Sequence, residues 1–295
     1  MTNEGAQASS AGPGPVPKKL YEGYVFDLDG TIYLGDELLP GAKRLILKLR
    51  ELGKKVVFLS NNPTKDPEQY SEKLTKLGLP TPEEEIVNTV FTMARWLLQN
   101  HPRSTVFPIG EEPLKKALGQ AGIRMSEDPK EIDIVVASYD RTFEYRKLQI
   151  AFDAIWFHGR AKLVTTNPDR YCPFPGGRGE PDAAAIVGAI EACTGAKCEV
   201  NTGKPDRIML ETITEMVGLD AAACVMVGDR LYTEIRMAKG AGMPSAVVMT
   251  GDTTAEMLGA EPESNRPDYV LDRIDLLIPQ RMRDEFGWTD DERTR

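Results

Sequence analysis

The run Tyr24-Val25-Phe26 is apolar at every position and stops abruptly at Asp27-Leu28-Asp29-Gly30-Thr31. A short strand with no polar face needs cover on both sides, as in a parallel sheet layered between helices. Open α/β sheets bind ligands beyond the carboxyl ends of such strands, where Asp27 and Asp29 stand. Two residues apart in an extended chain, both carboxylates share a face and address one small volume. Their mutual repulsion calls for a cation or a shared proton. The alternative is an Asp-Gly corner that merely closes the strand.

Two further apolar runs end the same way. Val56 to Leu59 leads into Ser60-Asn61-Asn62-Pro63, and Cys224 to Val227 into Gly228-Asp229, with a helix expected over residues 233–241. Thr202-Gly203-Lys204-Pro205-Asp206 puts a lysine in a turn ahead of a helical pattern at residues 208–217. Carboxylates for a hard metal, a hydroxyl and an ammonium for phosphate oxygens, and a carboxylate nucleophile are the parts of a Mg²⁺-assisted phosphoryl-transfer site.

At these residues the chain resembles the haloacid dehalogenase-like phosphatase superfamily. Its four motifs are matched in order by Asp27-Leu28-Asp29-Gly30-Thr31, Ser60-Asn61-Asn62, Lys204 and Gly228-Asp229-Arg230-Leu231-Tyr232-Thr233-Glu234. The long interval between the second and third motifs, with Thr165 to Asp169 inside it, is similar to the NagD-like branch, and within it to AraL-type sugar phosphatases and para-nitrophenyl phosphatases. The resemblance spans roughly residues 18–279. One departure is Glu234, where the family usually carries an aspartate one methylene shorter. The resemblance implies a Rossmann-like parallel-sheet core with an inserted α/β cap. It implies Asp27 as nucleophile, Asp29 as general acid and base, and Mg²⁺ held by Asp27, the Asp29 carbonyl and Asp229, with Glu234 at the metal's edge. Gly30, Ser60, Asn61, Asn62 and Lys204 would hold the phosphate, and Asn167 and Asp169 would rank leaving groups. A phosphotransferase, a dehalogenase or a non-catalytic phosphate-ligand-binding protein on the same fold are the alternatives; dehalogenation has no alcohol to protonate and so no use for Asp29.

A formal net charge of −9, with no basic run interleaved by aromatics, disfavours nucleic-acid binding. The four cysteines, Cys172, Cys193, Cys198 and Cys224, form no Cys-x-x-Cys and read as idle thiols of a reducing cytoplasm. His101 and His158 lie outside every motif, which disfavours histidine chemistry. No run approaches the roughly 20 apolar residues of a membrane span. The expected partner is therefore a small-molecule phosphate ester, with neither nucleic acid nor membrane, and a homodimer is compatible with this.

Residues 1–17, rich in Gly, Ala, Ser and Pro, read as a disordered leader. Residues 18–81 and 199–280 read as a discontinuous catalytic core around an inserted cap, 82–198, and the charge-rich 281–295 as a frayed tail. Within the cap, helices are expected at 87–100, 113–121, 148–157 and 183–192, strands at 105–109, 132–137 and 163–166, and an open Gly/Pro-rich loop at 171–181.

Overall fold

Phe26 and Phe58 side chains point one way from their strands and Val25, Val57 and Leu59 the other, and each set finds a different layer of helices. This computed structural model describes residues 15–174 and 178–289. The strands belong to an all-parallel sheet of six, ordered Tyr269–Leu271, Ser245–Val248, Cys224–Gly228, Gly23–Asp27, Lys55–Ser60, Ile86–Asn88. On one face, Tyr24, Phe26 and Phe58 pack with Leu45, Ile46 and Leu49 of helix Ala42–Glu51 and with Tyr70 and Leu74 of helix Pro67–Lys76. On the other, Val25, Leu59 and Met226 meet Met209, Leu210 and Ile213 of helix Arg207–Val217. Period-two alternation within a wholly apolar strand thus builds two cores from one sheet.

A second parallel sheet, ordered Cys198–Asn201, Lys162–Thr165, Ile134–Ala137, Val106–Ile109, repeats the arrangement. Val135 and Leu163 pack on Ile150, Ile186 and Ile190, whereas Val136 and Val164 pack on Met93, Leu97 and Leu118. Sheet membership moves both expected boundaries: Ile86–Asn88 pairs in the first sheet, not the cap, and Cys198–Asn201 pairs in the second. The expected helix at 87–100 accordingly begins at Thr89, where the Asn88 side chain accepts from the Phe91 N–H at 3.0 Å.

Three other expectations change. The loop at 171–181 contains an antiparallel pair, Tyr171–Phe174 with Arg178–Pro181; residues 175–177 lie outside the described residues. The tail starts with a helix, Gln280–Glu285, whose Arg283 is buried, and Arg44 stacks on Trp288 at 4.9 Å. The leader's last residues also join the core: Val16 packs against it and the Val270 N–H donates to the Pro15 carbonyl at 3.3 Å. Residues 1–14 and 290–295 lie outside the described residues. Among those described, no helix is long and apolar enough to cross a membrane.

Candidate active site

The strand carrying Asp27 ends at that residue; Leu28 bends the chain and Asp29 forms a lone bridge with Tyr33. Both carboxylates remain within range of the Tyr33 and Tyr70 phenols. Asp27 is buried and ion-paired to Lys204, while Asp29 is exposed and accepts from the Tyr33 hydroxyl at 3.2 Å. Burial, with the Asp29 charge adding to it, pushes the Tyr33 phenol up and keeps it a donor.

Lys204 stands where the second sheet hands back to the first, two residues ahead of Asp206, the N-cap of helix Arg207–Val217. Its Nζ pairs with Asp27 and lies 2.5 Å from Glu234 Oε1. Burial works against its charge, but Asp27 and Glu234 outweigh burial and hold its pKa up. Burial raises Asp27 well above the carboxylate range; the Lys204 charge opposes this, and the Glu234 and Asp229 charges reinforce it. Glu234 also suffers burial, yet Lys204 and the Thr233 hydroxyl, 2.6 Å from Oε2, hold it low. Glu234 Oε1 thus meets Lys204 and Oε2 meets Thr233, which makes it a counter-ion of the lysine. The extra methylene gives it reach, and residues 231–235 form a π-helical turn in place of the start of a regular helix. Gly228 makes room for this: a Cβ there would lie 2.6 Å from that of Glu234.

Ser60 Oγ accepts from the Asn62 N–H at 3.2 Å and shares a 2.8 Å hydrogen bond with the Tyr70 hydroxyl. The Asn61 side chain brackets the Lys204 backbone, accepting from its N–H at 2.8 Å and donating to its carbonyl at 3.1 Å, and donates also to Asp169 at 2.9 Å. The second and third motifs are locked in register by one amide. Asn62 Oδ1 accepts from the Thr64 N–H and hydroxyl, at 2.9 and 2.7 Å, and so shapes the turn behind the site.

Asn167 is fully buried; its amide donates to the Asn61 carbonyl at 3.1 Å and its Oδ1 accepts from the Asp169 N–H at 3.0 Å. It braces the second motif from behind and does not face a leaving group. Asn167→Ala, which removes both of these hydrogen bonds, is therefore expected to lower kcat/KM on every phosphate ester alike, by about 10-fold, leaving substrate ranking intact. Competitive assays on mixed esters would read this directly; a changed ranking would return Asn167 to the leaving-group side.

Asp229 Oδ2 accepts from the Asp252 N–H at 2.8 Å, whereas Oδ1 is buried with no hydrogen-bond partner among the described residues. Burial first, then the Glu234 charge, push Asp229 up to about 6. Gly30, at φ +83°, lies against this carboxylate, and a Cβ would approach Oδ2 to 2.5 Å. Among the described residues, no group of three or more His, Cys, Asp or Glu side chains gathers as a cage. Two carboxylates within range of each other, one with a buried oxygen unengaged among the described residues, suit Mg²⁺, which keeps several waters and takes one or two carboxylates beside substrate phosphate. Asp27 and Asp229 fit such an ion. Tyr33, Tyr70, Thr233 and Arg230 escaped the sequence reading; the only signal for three of them was their place inside or just after a motif.

The model of the haloacid dehalogenase-like hydrolases matches residues 24–124, and a second HAD-hydrolase-like model matches 201–277. The chain is 38% identical over 252 residues to the sugar-phosphatase AraL of Bacillus subtilis, covering 85% of this chain and 90% of that protein. It is 31% identical over 261 residues to the 5'-nucleotidase YutF of the same organism, covering 88% and 99%. The crystal structure of a 4-nitrophenylphosphatase from Thermotoga maritima superposes with a TM-score of 0.82 at 35% identity, covering 87% and 96%. With the family's motifs in order and relatives matched over nearly their whole lengths, the chain belongs to the haloacid dehalogenase-like hydrolases, in their NagD-like branch.

Proposed function

We propose that this phosphatase hydrolyses small phosphate monoesters, sugar phosphates foremost, with Mg²⁺ and through an aspartyl-phosphate on Asp27. The observation that carries the reading is the convergence of Asp27, Ser60, Asp229 and Lys204 from three strand ends and a helix entrance. An Asp27 oxygen attacks phosphorus as the bond to the leaving oxygen breaks, and Asp29 gives that oxygen its proton. Asp29, now ionised, takes a proton from water as the water oxygen attacks phosphorus; the phosphorus–oxygen bond to Asp27 breaks, which frees the Asp27 carboxylate and inorganic phosphate. The ion, held by Asp27, the Asp29 carbonyl and Asp229, supplies charge neutralisation when bound. Lys204, fixed by Glu234 and by Asn61, screens the phosphate dianion as it nears Asp27. Ser60 and the Asn61 N–H hold further phosphate oxygens.

The second sheet unit acts as a cap, tied to the site by the Asn61–Asp169 hydrogen bond, and exclusion of water beneath it strengthens each charge interaction. The free cysteines fit a cytoplasmic location. The leaving group is read from AraL, with nucleotides as the rival because of the likeness to a 5'-nucleotidase. The test is phosphate release with Mg²⁺ from para-nitrophenyl phosphate, hexose and pentose monophosphates and a nucleoside monophosphate. Release abolished by chelation, with sugar phosphates highest in kcat/KM, is expected. Release from none would overturn the phosphatase reading, and a nucleotide maximum would replace the substrate class.

A further inference from the structure

The mechanism above leaves the Arg230 cation unused. Arg230 follows Asp229 in extended backbone, at φ −122° and ψ 131°; burial works against its charge, which Tyr232, Asp229, Asp27 and Glu234 uphold. The guanidinium is half-buried, and its Nε is closed off from solvent without a hydrogen-bond partner among the described residues. Folding alone disfavours a buried donor left unmet. Two acids of the second sheet unit lie within range of its charge. Burial raises Asp169, against the hydrogen bond from Asn61 and the charges of Lys204 and Arg230. Burial likewise pushes Asp182 up to about 7, with the Ala183 N–H, the Asn167 amide and Arg230 opposing. Each acid already has a different partner: Asp169 takes the Asn61 amide at 2.9 Å, and Asp182 the Ala183 N–H at 2.6 Å. Arg230 thus lies in the field of core and cap acids alike, with its Nε unengaged among the described residues.

We propose that Arg230 is a specificity-determining residue that donates to hydroxyl oxygens of a sugar leaving group, with Asp169 accepting from a hydroxyl beside it. This rests on the phosphatase reading. A polyol hydroxyl both donates and accepts, so a guanidinium beside a carboxylate matches it. A nitrophenyl leaving group has no hydroxyl for either. Sites built to hydrogen-bond a substrate hydroxyl discriminate strongly against analogues lacking it, because the site's own polar groups go unpaired.

Arg230→Met keeps an apolar stem without donors, and Arg230→Lys keeps the charge. In the methionine variant, kcat/KM on hexose and pentose monophosphates is expected to fall about 10- to 100-fold, the range for a lost charged hydrogen bond, mostly as a higher KM. On para-nitrophenyl phosphate the fall is expected to stay within about 3-fold, so the preference shifts towards the aryl ester, and lysine recovers part of the sugar activity. Binding supplies a readout free of turnover. In an Asp27→Asn background, calorimetry should show hexose monophosphate affinity dropping at least about 10-fold on adding Arg230→Met, with inorganic phosphate little changed. Equal losses on both ligands, or losses shared by sugar and aryl esters, would make Arg230 a phosphate or folding residue and overturn the proposal. Unchanged sugar-phosphate affinity would overturn it too. A wild-type protein that hydrolyses no ester would sink the phosphatase reading, while the calorimetry would still judge Arg230.

Discussion

Asp27→Asn is expected to cut turnover by about 10⁴-fold or more, since a nucleophile acting as part of a unit cannot be replaced by its neighbours. Asp29→Asn, which removes proton transfer and leaves the attacking group, is expected to cost about 10²–10⁴-fold. The two variants also part company in stability. Burial and the Glu234 and Asp229 charges raise the folded-state pKa of Asp27. A raised carboxyl pKa means the folded state holds the proton more tightly than the unfolded one. Ionising the group as pH rises through its folded pKa therefore costs stability. Metal-free Asp27→Asn at neutral pH should accordingly melt no lower than wild type, an activity–stability trade at one side chain. Thermal melts and single-turnover phosphate release check both halves. A variant with near-wild-type turnover would remove Asp27 as nucleophile, and one melting well below wild type would show that the Lys204 pair outweighs burial.

Asp229→Ala is expected to abolish Mg²⁺ binding and, with it, turnover. It removes the one carboxylate that, among the described residues, combines an engaged oxygen, on the Asp252 N–H, with a buried oxygen left open. Ion binding stabilises the folded state by mass action, so Mg²⁺ should raise the melting temperature of wild type and leave that of Asp229→Ala unmoved. Glu234→Gln should keep Mg²⁺ affinity within a few-fold and raise KM, because it loosens Lys204, which it meets at 2.5 Å, and leaves the ion's ligands in place. Calorimetric titration of both variants separates the roles. Weaker Mg²⁺ binding in Glu234→Gln than in Asp229→Ala would make Glu234 a ligand.

Much of the core was legible before any coordinates because its strands announce themselves twice. Tyr24 to Phe26, Val56 to Leu59 and Cys224 to Val227 are apolar at every position, and each stops at residues too polar to stay inside. A sheet covered on both faces demands the first property, and a ligand edge the second. Short strands flanked by helical patterns were harder: Ile86–Asn88 merges into the apolar start of the helix at Thr89, and only its pairing with Lys55–Ser60 separates them. The same holds for the 171–181 segment, where Gly and Pro signal irregularity and cross-strand hydrogen bonds impose a hairpin.

Within the site, residue types and order were local information, and partnerships were not. Nothing near Glu234 in sequence reveals that its carboxylate serves Lys204, thirty positions earlier, or that a π-helical turn aims it there. Nothing near Asn167 reveals that it lies buried behind Asn61. The sequence by itself determined a layered parallel sheet and the chemistry at its edge, since both follow from hydrophobic pattern and charge along the chain. Only the tertiary structure decided which carboxylates pair with the lysine and which buried polar atoms stay unengaged among the described residues, because burial and Coulomb energy depend on distances that chain order does not contain.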